Sequence, residues 1–261
     1  MGKNMGKKEN KEVWRLIGFN EDNGFMQMAI DEAILTARIK GVVPNTLRFY
    51  SWSPKCVSIG YFQGIEKEVD IERANNFGID IVRRITGGGA VFHDREITYS
   101  IVLSEQDAST DILESYRIIC NGIIKGLGFL GVNADFKPIN DIVVNNKKIS
   151  GNAQTRRENI IMQHGTLLLD VDAKKMFSLL KVPNEKIRDK LISSAEERVI
   201  GLNKIMNTEL NIETIRQNLI HGFKDAFNVE FEEQELTDFE TKLSKKLFKE
   251  KYSSREWNFL R

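Results

Sequence analysis

The chain has 261 residues and a net charge of +1, with 41% hydrophobic and 29% charged residues. This composition is ordinary for a globular protein and excludes a bulk electrostatic attraction to nucleic acid or to an anionic membrane. A chain of this length can bury roughly 70–75% of its unfolded surface without disulfides.

The cysteines and the N-terminal residues indicate in which cellular compartment the protein is expected. Cys56 and Cys120, the two cysteines, lie far apart in apolar segments, which indicates core thiols in a reducing environment. No apolar stretch approaches the roughly 20 residues of a membrane helix. The polar, basic residues 1–11 predict a disordered tail, because no apolar segment of a secretory signal follows them. We therefore expect a cytoplasmic protein with a single domain over residues 12–261.

Strands dominate the predicted elements of the first hundred residues. One helix interrupts them at residues 24–41, where Met28, Ala29, Ile34 and Leu35 fall near helical spacing. The sequence also predicts strands at residues 12–19, 46–52, 56–62, 79–85 and 97–104, and a short helix at residues 68–78.

The clearest helix covers residues 111–130, where apolar residues recur every three or four positions. Residues 141–150 predict a hairpin that turns at Asn145 and Asn146, because asparagine tolerates a positive φ. Residues 159–170 predict a further strand.

The remaining chain is predicted to be helical, and residues 180–261 are interpreted as a helical flank. The elements do not alternate as regular βαβ units, which favours an α/β or α+β fold with a mixed, largely antiparallel sheet flanked by helices. The helices of this part are predicted at residues 173–180, 185–200, 213–227 and 235–252.

A glycine-rich motif, RRITGGGAVFHD, occupies residues 83–94 after a predicted strand. Glycine permits a positive φ and lets backbone N–H groups approach a ligand oxygen directly. Arg84 can add charge-assisted hydrogen bonds to a phosphate. The motif lacks the Gly-Lys-Ser/Thr of a Walker loop and the GxGxxG of a dinucleotide site. A tight turn with two surface arginines is the alternative interpretation.

A second motif, NDIVVNNKKISGNAQTR, covers residues 140–156. Lys148 lies on a predicted strand, and a lysine directed into a site can hold a phosphate and an acyl carbonyl as a point charge. The small residues Ser150, Gly151 and Ala153 leave room beside it. The alternative is a solvated hairpin end.

Two histidines invite a functional interpretation. His93, followed by Asp94, is a candidate base, or else a residue that closes a turn. His164 either lines an acyl pocket or is a buried, hydrogen-bonded histidine.

Together with HGTLLLD at residues 164–170, these motifs, in this order and spacing, resemble the lipoate–protein ligase family. That family is grouped with biotin ligases and protein octanoyltransferases. The resemblance spans roughly residues 13–258. It implies the catalytic-domain fold of biotin and lipoate ligases, which is related to that of class II aminoacyl-tRNA synthetases.

The resemblance implies a two-step reaction. ATP and Mg²⁺ activate lipoate to lipoyl-AMP, and the lipoyl group passes to a lysine of an apo lipoyl domain of a 2-oxoacid dehydrogenase or of the glycine cleavage H protein. Lys148 is then the catalytic residue that holds the carbonyl and phosphate, and Asp141 is a candidate Mg²⁺ ligand. The residues implied to contact the nucleotide are Arg84, Gly87, Gly88, Gly89, Ala90, Val91, Phe92, Asn140, Asp141 and Lys148. The segments LRFYSW and IGYF are candidates for the wall of a C8 acyl slot, or are ordinary core strands.

Two departures from the family pattern shape the expected function. Octanoyltransferases of this superfamily carry the acyl group on a cysteine, whereas residues 121–261 contain none, and this favours an ATP-dependent ligase. The family's ligases continue into a small accessory domain after the segment that resembles KYSSREWNF, so we expect a separate accessory subunit. An acyltransferase that takes octanoyl or lipoyl groups from a carrier protein is the alternative, followed by a non-catalytic relative. The preference between lipoate and octanoate, the acceptor and the oligomeric state stay open.

Overall fold

The computed structural model describes residues 11–182 and 184–261; residues 1–10 of the predicted tail lie outside this range. The strands, in chain order, are β1 (Val13–Asp22), β2 (Thr46–Trp52), β3 (Cys56–Ile59), β4 (Asp80–Arg83), β5 (Val91–His93), β6 (Glu96–Ser104), β7 (Asp135–Lys137), β8 (Asp141–Val144), β9 (Lys147–Arg157), β10 (Ile160–Leu168) and β11 (Glu230–Gln234). The α-helices are α1 (Gly24–Ile39), α2 (Ile65–Glu68), α3 (Ile71–Asn76), α4 (Ile112–Phe129), α5 (Ala173–Leu179), α6 (Glu185–Arg198), α7 (Leu202–Met206), α8 (Ile212–Phe227), α9 (Asp238–Leu247) and α10 (Arg255–Asn258).

The strands form two sheets. The large sheet has the order β11-β1-β2-β6-β10-β9-β8-β7, and the small sheet has the order β4-β3-β5. In the large sheet β1 pairs in parallel with β11 and β2, and all other pairings are antiparallel. The predicted fold class, a mixed and largely antiparallel sheet flanked by helices, is confirmed.

The two faces of the large sheet differ in character. Side chains alternate along a strand, so neighbouring residues of β6 enter different layers. Ile97, Tyr99 and Ile101 pack into the apolar layer that contains α4 and α8. The opposite face meets α1, and there β6 presents the buried polar residues Thr98 and Ser100. This polar stretch of an otherwise apolar sheet lies where the candidate site is found.

The predicted hairpin is confirmed. Strands β8 and β9 pair antiparallel, and Asn145 and Asn146 have φ values of 49° and 63°. The turn directs β9 back antiparallel to β8 and brings Lys148 opposite Val143.

The segment after residue 180 differs from the predicted helical flank. It supplies β11, which pairs with β1 at the edge of the large sheet. The sequence of β11, EFEEQ, is mostly exposed and lacks the apolar alternation that identifies a strand. Helix α9 starts only at Asp238, where Thr237 and Glu240 form a capping box. No helix in the described part of the chain is long and apolar enough to cross a membrane.

Candidate active site

A cavity of about 680 Å³ lies between the polar face of the large sheet, the glycine turn and the α5–α6 segment. This volume lies within the usual range of small-ligand sites. Eight of the ten residues that the sequence proposes for the site line it, namely Arg84, Gly88, Gly89, Ala90, Val91, Phe92, Asn140 and Lys148. Gly87 and Asp141 are the other two, and they contact lining residues.

Lys148 forms an ion pair at one side of the cavity. Its Nζ lies 2.7 Å from Asp141 Oδ1, and both side chains are about one-third exposed, at 40% and 31%. The carbonyl of Lys148 accepts a hydrogen bond from the N–H of Ile200 at 2.9 Å, which ties its backbone to the segment after α6. A Cβ at Gly151 would lie 2.7 Å from this Nζ, so the ammonium occupies space that a side chain at residue 151 would fill. Lys148 is therefore a cavity residue and not a solvated hairpin end.

The predicted Mg²⁺ ligand, Asp141, has a different partner in the structure. Its carboxylate pairs with Lys148. Within the described ranges, no group of three or more His, Cys, Asp or Glu side chains is arranged to hold a metal ion.

Asn140 fixes the backbone at this edge of the cavity. Its amide donates to the carbonyl of Asn152 at 2.5 Å, and the amide of Asn152 donates to the carbonyl of Asn140 at 2.8 Å. The hydroxyl of Tyr99 donates to Asn152 Oδ1 at 2.6 Å. These bonds hold the start of β8 against β9 beside the lysine.

Arg84 is buried and directs its guanidinium back into the protein. Nε donates to Thr86 Oγ1 at 3.1 Å, and Nη1 donates to the carbonyl and the hydroxyl of Ser58 at 3.1 and 3.0 Å. Nη2 donates to the carbonyls of Gly87 and Gly89 at 2.7 and 2.8 Å. All five N–H donors of the side chain are engaged. Burial lowers its pKa to about 10, so it remains charged at neutral pH.

Arg83 is also buried, so the interpretation of the motif as a turn with two surface arginines is wrong. Nε donates to the carbonyl of Trp257 at 3.0 Å, and Nη2 donates to the carbonyl of Asn258 at 2.9 Å. The acceptors of Nη1 are the carbonyls of Gly60, Tyr61 and Gln63. This arginine joins the C-terminal segment to the loop that precedes α2.

A first hydrogen-bonded relay leads from Arg84 to a carboxylate. Ser58 Oγ lies 2.8 Å from His93 Nε2, and His93 Nδ1 lies 2.5 Å from Glu96 Oε1. The ring of His93 stacks on Trp52, with centroids 4.0 Å apart. His93 is therefore a buried member of a polar chain.

A second relay starts from the same guanidinium. Thr86 Oγ1 lies 2.8 Å from His164 Nε2, and His164 Nδ1 lies 3.2 Å from Asp31 Oδ2. Burial lowers the pKa of His164 below its ordinary value. Burial alone would raise the pKa of Asp31, but Arg48 together with hydrogen bonds from His164 and Tyr50 holds that pKa below its ordinary value.

The two relays share one direction of hydrogen bonding. A guanidinium only donates, so the hydroxyls of Ser58 and Thr86 accept from Arg84, and the carboxylates of Glu96 and Asp31 accept from Nδ1 of the histidines. Nε2 of each histidine then accepts, and Nδ1 carries the hydrogen that faces Glu96 or Asp31. The two carboxylates therefore set the tautomer of both rings, and Arg84 helps to orient the two hydroxyls.

The apolar lining comes from several elements. Tyr50 and Trp52 of the LRFYSW segment line the cavity, whereas none of the IGYF residues does. Met28, Phe92 and Met176 add to the same wall.

Neither cysteine lines the cavity. Burial raises the pKa of Cys56 well above its ordinary value and that of Cys120 to about 12. Both side chains are therefore neutral core thiols at physiological pH.

The sequence interpretation did not identify Asp31, Ser58, Thr86 or Glu96 as members of the site. For two of them, the signal is a polar residue at a position where the pattern of a helix or strand predicts an apolar one. Asp31 occupies such a position on the buried face of α1, and Ser58 does so in the buried strand β3.

Comparison with known proteins gives the family and a functional direction. The model of the family "Lipoyl protein ligase A/B catalytic domain" matches residues 23–224. The octanoyltransferase LipM of Clostridioides difficile is 39% identical over 266 residues, which cover 94% of this chain and 98% of that protein. The octanoyltransferase LipM of Anoxybacillus flavithermus is 38% identical over 276 residues, which cover 96% and 99%. A bi-partite lipoate protein ligase from Thermoplasma acidophilum has a TM-score of 0.87 at 34% identity, covering 96% of this chain and 98% of that one.

These relatives overturn the predicted reaction. The chain is similar over nearly its whole length to octanoyltransferases, so the prediction of an ATP-dependent lipoate ligase is wrong, and with it the assignment of ATP, Mg²⁺ and lipoate. The absence of a cysteine misled the prediction, because it argues only against an acyl-enzyme intermediate on a cysteine and not against acyl transfer itself. The amine of an acceptor lysine can attack a thioester directly, without a catalytic cysteine. The match to nearly the full length of these relatives also gives no support for an accessory subunit.

Proposed function

Since the chain belongs to the lipoyl protein ligase A/B catalytic domain family, and is thus an enzyme of protein lipoylation, we propose that it is an octanoyltransferase. It transfers an octanoyl group from the thioester of a carrier protein to a lysine of a lipoyl domain. The similarity to octanoyltransferases over 94–96% of this chain carries the proposal.

The cavity suits an acyl substrate that is apolar along its chain and polar at its reactive end. Trp52, Phe92 and Met176 supply apolar walls for the C8 chain, and Lys148 supplies a positive charge for the carbonyl. An oxyanion develops on that carbonyl oxygen during acyl transfer. A positioned ammonium stabilises it more strongly than it stabilises the neutral thioester.

The reaction balances without a cofactor. The unprotonated amine of the acceptor lysine attacks the thioester carbonyl, and the carbon–nitrogen bond forms. The tetrahedral intermediate collapses, the carbon–sulfur bond breaks, and the proton lost by the amine passes to the leaving thiolate. Asp141 forms an ion pair with Lys148 Nζ and so holds the ammonium at the cavity wall.

The acyl group passes directly between donor and acceptor in this proposal. Both cysteines lie away from the cavity and their pKa values are raised, so neither offers a thiolate for an acyl-enzyme. The predicted nucleotide contacts of the glycine turn and of Asn140 and Asp141 followed from the ligase reaction. We assign these residues instead to the acyl-transfer site.

The partners follow from the reaction. We expect an acyl carrier protein as donor. Apo lipoyl domains of 2-oxoacid dehydrogenases or the glycine cleavage H protein are the expected acceptors. The cytoplasmic location stays a prediction.

The test is the intact mass of an apo lipoyl domain after incubation with this protein and octanoyl-loaded acyl carrier protein, without ATP. We expect an octanoyl mass shift. Modification that appears only with ATP and a free acid would contradict the proposal. Lys148→Ala is expected to lower kcat by about 100-fold or more, because removing one oxyanion donor has that effect.

Two further variants serve as controls. Lys147→Ala removes the neighbouring lysine, which does not line the cavity, and is expected to keep the wild-type rate. A Cys56→Ala, Cys120→Ala double variant is expected to transfer octanoyl groups as well. Loss of transfer in this variant while it remains folded would show that a cysteine takes part.

A further inference from the structure

Arg84 holds one side of the glycine turn. Its Nη2 donates to the carbonyls of both Gly87 and Gly89, so these two carbonyls converge on one nitrogen. The peptide bonds that follow them are trans. In a planar trans peptide, the N–H points opposite to the C=O. The N–H groups of Gly88 and Ala90 therefore point away from the guanidinium.

These two N–H groups have no hydrogen-bond acceptor among residues 11–182 and 184–261. Their residues line the cavity, as does Gly89 between them. Gly88 has a φ of +95°, a conformation that permits the successive carbonyls to turn toward Arg84. Free backbone N–H groups on a cavity wall are a binding element for an anionic oxygen.

We propose that the backbone N–H groups of Gly88 and Ala90 bind the oxyanion of acyl transfer, and that Arg84 is the positioning residue that directs them. The proposal rests on the proposed octanoyl transfer and complements Lys148. Arg84 acts through the turn, because its five donors are already engaged inside the protein.

A lysine at position 84 cannot replace the arginine. Its three N–H groups share one nitrogen, whereas the guanidinium spans Ser58, Thr86 and the turn carbonyls with a planar fork. Arg84→Lys therefore keeps the charge but releases the turn. We expect kcat for octanoyl transfer to fall about 100-fold, as for the loss of an oxyanion donor, with KM for the octanoyl carrier changed less than about threefold.

Gly60 provides a second variant that leaves Arg84 in place. A Cβ at residue 60 would collide with the carbonyl of Gly88, so Gly60→Ala displaces the turn. The same fall in kcat is expected. The matched control is Gly128→Ala, where no atom lies within 4 Å of the added Cβ. A rise in KM without a fall in kcat, in either turn variant, would overturn the positioning role.

The test that does not depend on turnover is an amide NMR titration of the wild-type protein with octylphosphonate, a C8 anion that imitates the charged tetrahedral intermediate. Saturable shifts of the Gly88 and Ala90 amides, absent with neutral octanol and lost in Arg84→Lys, are expected. Shifts of the Arg84 side-chain N–H signals without those of the two amides would overturn the proposal, as would no response at all. If octanoyl transfer fails but the amides respond, the proposed function falls while the anion site stands.

Discussion

At the scale of single residues, Lys148 keeps its place because residue 151 has no side chain. The Cβ of an alanine at this position would lie 2.7 Å from Lys148 Nζ and 2.8 Å from its Cε. These atoms form the free end of a flexible side chain, so the lysine moves and the fold persists. Gly151 does not need a positive φ, and alanine fits its backbone.

We therefore predict that Gly151→Ala lowers kcat for octanoyl transfer by up to about 100-fold, since displacement of a catalytic group by about 1 Å has this effect. Steady-state kinetics measures it, and the thermal midpoint should change little. Gly128→Ala again serves as the matched control and is expected to keep the rate, with a gain of about 0.5–1 kcal/mol in stability from its helical position. A normal kcat in Gly151→Ala would contradict the catalytic role of Lys148.

The residues of the site were predictable to different degrees. Lys148 and the glycine turn stand in recognisable motifs, and the structure brings both to one cavity. Arg84 is in the same motif, but its direction was not predictable. Whether a buried guanidinium faces a ligand or the backbone depends on Ser58, which tertiary packing brings to it from strand β3. The reaction itself was mispredicted, because the missing cysteine was taken as evidence against transfer from a thioester, which was kept only as the alternative.

At the scale of elements, strands β6 and β10 carry the polar layer of the site into an apolar sheet. Their pairing places His164 opposite Ser100 and Thr166 opposite Thr98. The sequence predicted both strands, although only β6 has a continuous apolar face, formed by Ile97, Tyr99, Ile101 and Leu103. It did not predict β11, which is short, charged and at the edge of the sheet.

His164 links β10 to α1 and is expected to make stability depend on pH. Its pKa is lowered in the folded state, chiefly by burial, whereas a histidine in the unfolded chain has a pKa of about 6.5. Below that pH the unfolded chain binds a proton that the folded chain does not, so stability is lost as pH falls. Asp31 does not add to this window, because its folded pKa lies below its ordinary value and it is ionised in both states.

We predict that lowering the pH from about 7 to about 5.5 reduces the free energy of unfolding of the wild type. In His164→Gln this reduction should be smaller by up to about 1 kcal/mol, as measured by urea unfolding. His221→Gln is the matched control, because His221 is exposed on α8. This control should show the wild-type pH dependence. Equal pH dependence in the wild type and His164→Gln would mean that the ring is not held neutral by its relay.

At the scale of the whole molecule, the C-terminal segment is fixed to the large sheet by a buried ion pair. Arg15 of β1 and Glu240 of α9 pair through both oxygens of the carboxylate, and both side chains are fully buried. Glu240 also accepts from the N–H of Thr237 at 2.8 Å, so one carboxylate fixes the start of α9 and its contact with β1. The predicted single domain over residues 12–261 depends on such contacts, and we propose that the chain unfolds as one cooperative unit.

Glu240→Ala is predicted to reduce stability by about 3–5 kcal/mol, because Arg15 is left as an unpaired charge in the interior. Replacing both partners, as in Arg15→Met with Glu240→Leu, is expected to recover much of this loss, since no charge is then buried alone. The matched control is Glu114→Ala, which breaks the exposed pair with Arg117 and should have little effect. Urea unfolding followed by circular dichroism and by tryptophan fluorescence measures the change.

Coincident curves for both probes are expected for a single domain. An early transition confined to the C-terminal segment in Glu240→Ala would instead show that this segment is a separate folding unit, joined to a catalytic core that is stable without it.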